Sequence, residues 1–150
     1  MIITILQGLP GSGKSTIAKT EDAVVVSADH YPGLYTHTPE GVRIELRLLG
    51  PAHGACFRAA IAALEARRDV VVDNTNLTVE ECAPYFLLAQ AFSVAPRLVT
   101  VLCDPEVAFA RQQHGVPRPA FDQMVARLAS FTPAGHWPFI PGFRHVVKVA

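Results

Sequence analysis

Neither sign of charge dominates this sequence: thirteen lysines and arginines balance thirteen aspartates and glutamates, and only three of the basic residues are lysines. That balance excludes a protein held on nucleic acid by bulk basicity, so any polyanion would have to meet a local patch. Cysteine is scarce. Cys56, Cys82 and Cys103 are odd in number, far apart and set in apolar segments, which argues against a disulfide framework or a zinc site and for reduced core residues. No apolar run approaches the roughly 18 residues of a membrane span. Met1 to Gln7 also lacks the charged start and small-residue cleavage site of an export signal, so a cytosolic location is expected. Repeats, low-complexity tracts and linkers are missing as well. What is present is 150 residues, half of them apolar, enough for one domain spanning 1–150 with its own core, which excludes a disordered or fibrous chain.

Five short apolar runs have the length and β-branched content of buried strands: Ile2 to Gln7, Ala23 to Ser27, Val70 to Asp73, Leu98 to Cys103 and His145 to Val149. Helical segments lie between them. In Cys56 to Arg67 the residues Phe57, Ile61 and Leu64 recur at helical spacing. Thr78 with Glu81 forms a capping box, with Pro84 near enough to the first turn to be tolerated. A third helix is expected over Glu106 to Gln113, and a last one from about Pro119 that buries Phe121, Met124, Val125 and Leu128. Alternation of strand and helix predicts an α/β fold, a five-stranded parallel sheet sandwiched between helices. His30 to Gly41, Gln113 to Pro119 and Thr132 to Gly142 read as irregular, the last two as mobile loops.

The strongest motif is Gly8-Leu9-Pro10-Gly11-Ser12-Gly13-Lys14-Ser15, followed by Thr16, which stands directly after the first strand and before a helix. Its glycines let the loop wrap with backbone N–H groups facing phosphate oxygens, and a helix N-terminus adds its positive dipole end. In such a loop Lys14 reaches the β- and γ-phosphates and Ser15 ligates Mg2+. An ordinary Gly-rich turn would need neither the lysine nor the hydroxyl. Nucleoside triphosphate binding is therefore expected. The sequence has no Asn-Lys-x-Asp guanine-reading motif, and its length leaves no room for the oligomerising elements of a ring ATPase, so a small P-loop NTPase that transfers phosphate remains.

Beyond the second strand lies Ser27-Ala28-Asp29-His30-Tyr31. Ligand sites of parallel sheets lie past the carboxyl ends of the strands, which places Asp29 where a base could take a proton from an attacking hydroxyl, unless it is a turn residue. The third strand closes on Asp73-Asn74-Thr75-Asn76. Asp73 could hold the water shell of Mg2+, while Asn74 and Asn76 shape an acceptor pocket; an Asx turn would account for one of these polar residues but not for four. Arg111 to Arg118 joins two helices through a Gly- and Pro-punctuated loop containing His114 and has the character of a short lid that brings Arg111 and Arg118 over the triphosphate. His53 is a substrate-side candidate, or a histidine of the helix end. His37, His136, His145 and Trp137 carry no readable role.

These residues together resemble the phage-type polynucleotide kinases and related small P-loop kinases with an Asp-Asn-Thr-Asn strand end. Gly8 to Thr16, Ser27 to Tyr31, Ala52-His53, Val70 to Thr78 and Arg111 to Pro117 fall in that family's order at similar spacing. The resemblance implies ATP and Mg2+ as cofactors, Asp29 as general base, Lys14 and Ser15 at the nucleotide and metal, and a lid arginine at the phosphates. It also implies phosphorylation of a hydroxyl, often on nucleic acid; a monomer or weak oligomer with no membrane partner is expected. Three residues past the base, where end-phosphorylating members carry an arginine that grips the acceptor's phosphate, this chain has Pro32. Related phage kinases that act on a hydroxymethyl group of a DNA base would not need that arginine, so 5-hydroxymethyluracil in DNA and a polynucleotide 5′-hydroxyl stand level. A kinase for a nucleoside, sugar or antibiotic, and a non-catalytic ATP-binding module, are the alternatives.

Overall fold

The computed structural model describes residues 1–131 and 140–150. In chain order the elements are β1 (Ile2–Gln7), α1 (Lys14–Ala18), β2 (Val24–Val26), β3 (Tyr35–Thr38), β4 (Gly41–Ile44), α2 (Leu49–Glu65), β5 (Val70–Asp73), α3 (Val79–Ala91), β6 (Ala95–Leu102), α4 (Pro105–Arg111), α5 (Arg118–Ala129) and β7 (Arg144–Val149). The predicted five-stranded sheet is present, all parallel, in the order β2-β5-β1-β6-β7. Residues alternate across it with period two. Ile3, Ile5, Val70, Val72 and Leu98 pack with Ala60 and Leu64 of α2 and Phe86 of α3. Leu6, Val71, Val99 and Val101 turn to the other side, where Ile17 and Ala18 of the five-residue α1 meet them. Phe86 and Phe121 are wholly buried, each contributing about 1.5–3 kcal/mol by removal from water.

Several boundaries differ from those expected. Helix α2 begins at Leu49, seven residues before Cys56, and ends at Glu65. Pro51 sits at the third helical position, where a missing N–H costs nothing because no carbonyl waits for it. Thr78 does form the capping box with Glu81, but Pro84 lies in the second turn of α3 and deprives the Glu80 carbonyl of its partner. Helix α4 stops at Arg111, and α5 starts at Arg118 with Phe121 buried but Met124, Val125 and Leu128 only partly covered. His30 to Gly41 is not irregular throughout: it contains β3, which pairs antiparallel with β4. Cys56 and Cys82 are buried thiols and Cys103 is half-buried, all three free. Of the expected Thr132 to Gly142 loop, residues 132–139, with His136 and Trp137, lie outside the described residues.

A chain of polar groups, buried at Asn76, Gln7 and Thr100 and ending on exposed His145, crosses the sheet. Gln7 Nε2 donates to the Asn76 carbonyl at 2.9 Å, Thr100 Oγ1 donates to Gln7 Oε1 at 2.7 Å, and His145 Nε2 stands 2.8 Å from the same hydroxyl. The Thr100 proton is committed to Gln7, so His145 must donate through Nε2. Thr100→Val keeps the shape but strands the buried Gln7 oxygen, and chemical denaturation should show a loss of about 1–3 kcal/mol. An unchanged midpoint would mean that the link adds nothing.

Candidate active site

Register brings the functional ends of the strands to one edge. Leu6 of β1 stands beside Asp73 of β5, and Gln7 beside Thr100 of β6, so the loop after β1 emerges between its neighbours' carboxyl ends. The Gly8 N–H donates to the Thr75 carbonyl at 3.1 Å and ties that loop to the end of β5. Gly11 adopts φ +81°, and a Cβ there would lie 2.1 Å from the Ala108 carbonyl oxygen. The phosphate loop is thus packed against α4 at a point only glycine can occupy.

Within the loop Lys14 is buried, and its Nζ donates to the Leu9 carbonyl at 2.8 Å. Burial brings its pKa down to about 8, opposed by the negative charges of Asp73 and Asp29. Ser15 Oγ donates to Asp73 Oδ2 at 2.8 Å. A hydroxyl and a buried carboxylate held together are hard oxygen donors of the kind Mg2+ takes alongside phosphate oxygens and water, so the pair fits that ion. Ser12 Oγ is buried with no partner among the described residues, a donor left over at the cradle. With only five residues in α1, the loop's own N–H groups and Lys14 form more of the anion site than a long helix dipole does.

Asp29 lies on a single 3-10 turn, Ala28–His30. The Ala28 N–H donates to Asn74 Oδ1 at 2.9 Å, and Asn74 Nδ2 reaches Cys56 Sγ at 3.5 Å, where Tyr85 also donates its hydroxyl at 3.2 Å. Burial pushes the Cys56 thiol up, so it serves as a neutral acceptor. Asn74 is therefore a strut between β5, the Asp29 turn and α2. Asn76 is spent more fully: its φ is +47°, and Nδ2 donates to the Leu6 carbonyl at 2.7 Å. The structure gives its amide to the backbone of β1 rather than to a ligand, although the residue still borders the cavity described next.

A cavity of about 590 Å³ opens past the end of β5, walled by His53, Phe57, Asn74, Thr75, Pro84 and Tyr85. Glu80 and Glu81 also line it, but Glu81 is committed to the N–H groups of Leu77 and Thr78. Arg58 reaches the rim, its Nη1 3.3 Å from where a Cβ on Gly54 would stand. The sequence-derived trio His53, Asn74 and Asn76 thus shares one cavity, while Phe57 and Tyr85 carried no sequence signal beyond core-like spacing.

The lid residues divide. Arg111 is exposed and closes α4, immediately before Gln112, whose backbone N lies 2.9 Å from the Cβ position of Gly11. It therefore stands beside the phosphate loop. Arg118 is engaged elsewhere, paired with Glu106 and with Asp122 at 3.0 Å and set over the Phe109 ring at 4.8 Å. Sequence reasoning missed Tyr35 altogether, because a four-residue strand in a polar stretch leaves no periodic signal.

A parallel sheet with this strand order and a phosphate loop after its central strand is a kinase-like P-loop fold. The model of the AAA domain family AAA_33 matches residues 3–130, and the chain belongs to that family. It is 29% identical over 134 residues to the bifunctional polynucleotide phosphatase/kinase of Schizosaccharomyces pombe, covering 84% of this chain and 29% of that protein. The chain spans less than a third of the length of the curated relatives it matches. Among solved structures, a sugar kinase from Janibacter sp. superposes with a TM-score of 0.61 at 17% identity, over 99% of this chain and 85% of that one. Kti12 of Chaetomium thermophilum, in complex with ADP-AlF3, gives 0.57 at 17% identity, over 99% and 88%. Among the described residues no helix is long and apolar enough to cross a membrane.

Proposed function

We propose that the protein is an ATP-dependent kinase that transfers the γ-phosphate to a hydroxyl group. The observation carrying this reading is the placement of two carboxylates near Lys14: Asp73, which accepts from Ser15 at the phosphate loop, and Asp29, on the turn that Asn74 ties to the end of β5. Asp29 takes the proton of the acceptor hydroxyl as its oxygen attacks the γ-phosphorus, and Lys14 and Arg111 offset the charge that builds on the transferring group. Ser15 and Asp73 would hold Mg2+, which supplies charge neutralisation at the phosphates. Mere nucleotide binding would not require a carboxylate at position 29.

For the acceptor, the aromatic and proline walls suit a flat, uncharged group. Among its described lining residues the cavity has no lysine or arginine, and Arg58 at the rim offers one cation where a backbone phosphate could rest. Together with Pro32 in place of a phosphate-gripping arginine, this favours a hydroxymethyl group on a DNA base over a 5′ end. The polynucleotide relative supports a nucleic-acid acceptor. A free nucleoside or sugar is the second reading, favoured by the same shortage of cations. Phosphate incorporation into circular DNA carrying 5-hydroxymethyluracil, which has no ends, is expected to exceed that into an unmodified linear 5′-hydroxyl strand. Labelling of the linear strand alone would restore the end-kinase reading; labelling of neither, with a nucleoside or sugar phosphorylated, would establish the small-molecule one.

A further inference from the structure

Asp29 has a side chain 39% exposed on a turn only three residues long. Its backbone is pinned, with the Asp29 N–H on Ser27 Oγ at 3.1 Å and the Ala28 N–H on Asn74. None of those bonds fixes the carboxylate about its own torsions. Two side chains from other segments do. Tyr35 Oη donates to Asp29 Oδ1 at 2.5 Å, and His114 Nδ1 stands 2.9 Å from Tyr35 Oη and 3.4 Å from Asp29 Oδ2. A phenol has one proton, and here it goes to the carboxylate, so the Tyr35 oxygen accepts from His114 and Nδ1 carries hydrogen. The rings meet edge to face, with centroids 4.9 Å apart. Burial and the adjoining carboxylate push the Tyr35 phenol far above its ordinary range, which keeps it a donor.

Tyr35 belongs to β3, and His114 to the loop joining α4 and α5. The two segments touch through their backbones, since Gly115 has φ +68° and a Cβ there would lie 2.2 Å from the Val42 carbonyl oxygen. We infer that Tyr35 and His114 are positioning residues that together orient the Asp29 carboxylate, so that docking of the lid loop on the β3–β4 hairpin completes the base. This inference rests on the reading of Asp29 as base. A carboxylate offers about four lone-pair sites, so the Tyr35 donor and the neighbouring His114 ring leave room for the acceptor hydroxyl. The arrangement also means that a displaced lid leaves Asp29 held by Tyr35 alone, without His114 to orient that phenol, which restrains transfer to water.

Tyr35→Phe and His114→Ala should each lower turnover by about 10- to 100-fold, the scale of a misplaced catalytic group, with the Michaelis constants for ATP and acceptor within about twofold. Transfer is read on the best-labelled of circular 5-hydroxymethyluracil DNA, linear 5′-hydroxyl DNA and a nucleoside panel, and on water as acceptor through ATP hydrolysis. The double variant should be no slower than the slower single one, because the residues act as a unit. His114→Asn, which retains a side-chain N–H near Nδ1, should recover most of the rate. Normal turnover in folded Tyr35→Phe and His114→Ala, additive losses, or failure of the asparagine to rescue would overturn the inference. Asp29→Asn is run alongside: if it too turns over normally, the base assignment itself falls, whereas a slow Asp29→Asn beside normal Tyr35 and His114 variants removes the positioning role alone.

Discussion

Lys14→Ala is expected to fold as the parent does and to lose at least about 100-fold in turnover, the scale seen when one preorganised electrostatic stabiliser is removed. The side chain is buried, yet its charge is costly there, since burial lowers the pKa to about 8 and the ammonium has, among the described residues, the Leu9 carbonyl as its hydrogen-bonding partner. Removing it relieves that desolvation, so thermal unfolding should not come earlier. The same depression fixes a pH dependence. Below pH 8 Lys14 is charged before ATP arrives and affinity is level; above it a proton must be taken up on binding, and affinity falls by up to about tenfold per pH unit. Lys14→Ala should lack that slope. Parental rates from the folded variant would remove the kinase reading.

Asp29→Asn should keep ATP affinity and lose transfer by about 10²- to 10⁴-fold, the usual range for a general base. The amide can still accept from Tyr35 through its oxygen, so the turn and hairpin should stay in place. What it cannot do is take the acceptor's proton. Single-turnover measurement with bound ATP separates this from a binding defect. A variant that is less stable but catalytically ordinary would mark Asp29 as a turn residue.

How far the sequence reached depended on the range of the interactions involved. The inner strands were visible because each is a short apolar run that both faces of a parallel sheet require, and Val70 to Asp73 was placed to the residue, whereas β7, expected as a buried strand, is an edge strand with all six residues exposed. The capping box was equally plain, its partners being three residues apart. Pro51 and Gly54 obscured the first turns of α2, because local breakers are tolerated where tertiary packing pays for them. Asn76 borders the cavity as its position suggested, but its left-handed backbone and its bond to Leu6, 70 residues away, were not legible. Arg118 looked like a phosphate ligand until Glu106 and Asp122 folded around it. Tyr35 and His114 meet across 79 residues of sequence, and no local pattern encodes that contact.

The sheet's edge and its centre are unequal, which has a consequence for how the molecule opens. All six residues of β7 are exposed, and that strand pairs only with β6. In β1 five of six residues are buried, with pairing on both sides. Amide deuterium uptake should therefore begin in β7 through local fraying at a small fraction of the global free energy, while β1 exchanges only when the whole domain unfolds. Strand β1 leads directly into the Gly8–Ser15 loop, so the nucleotide cradle stands on the part of the chain that opens last.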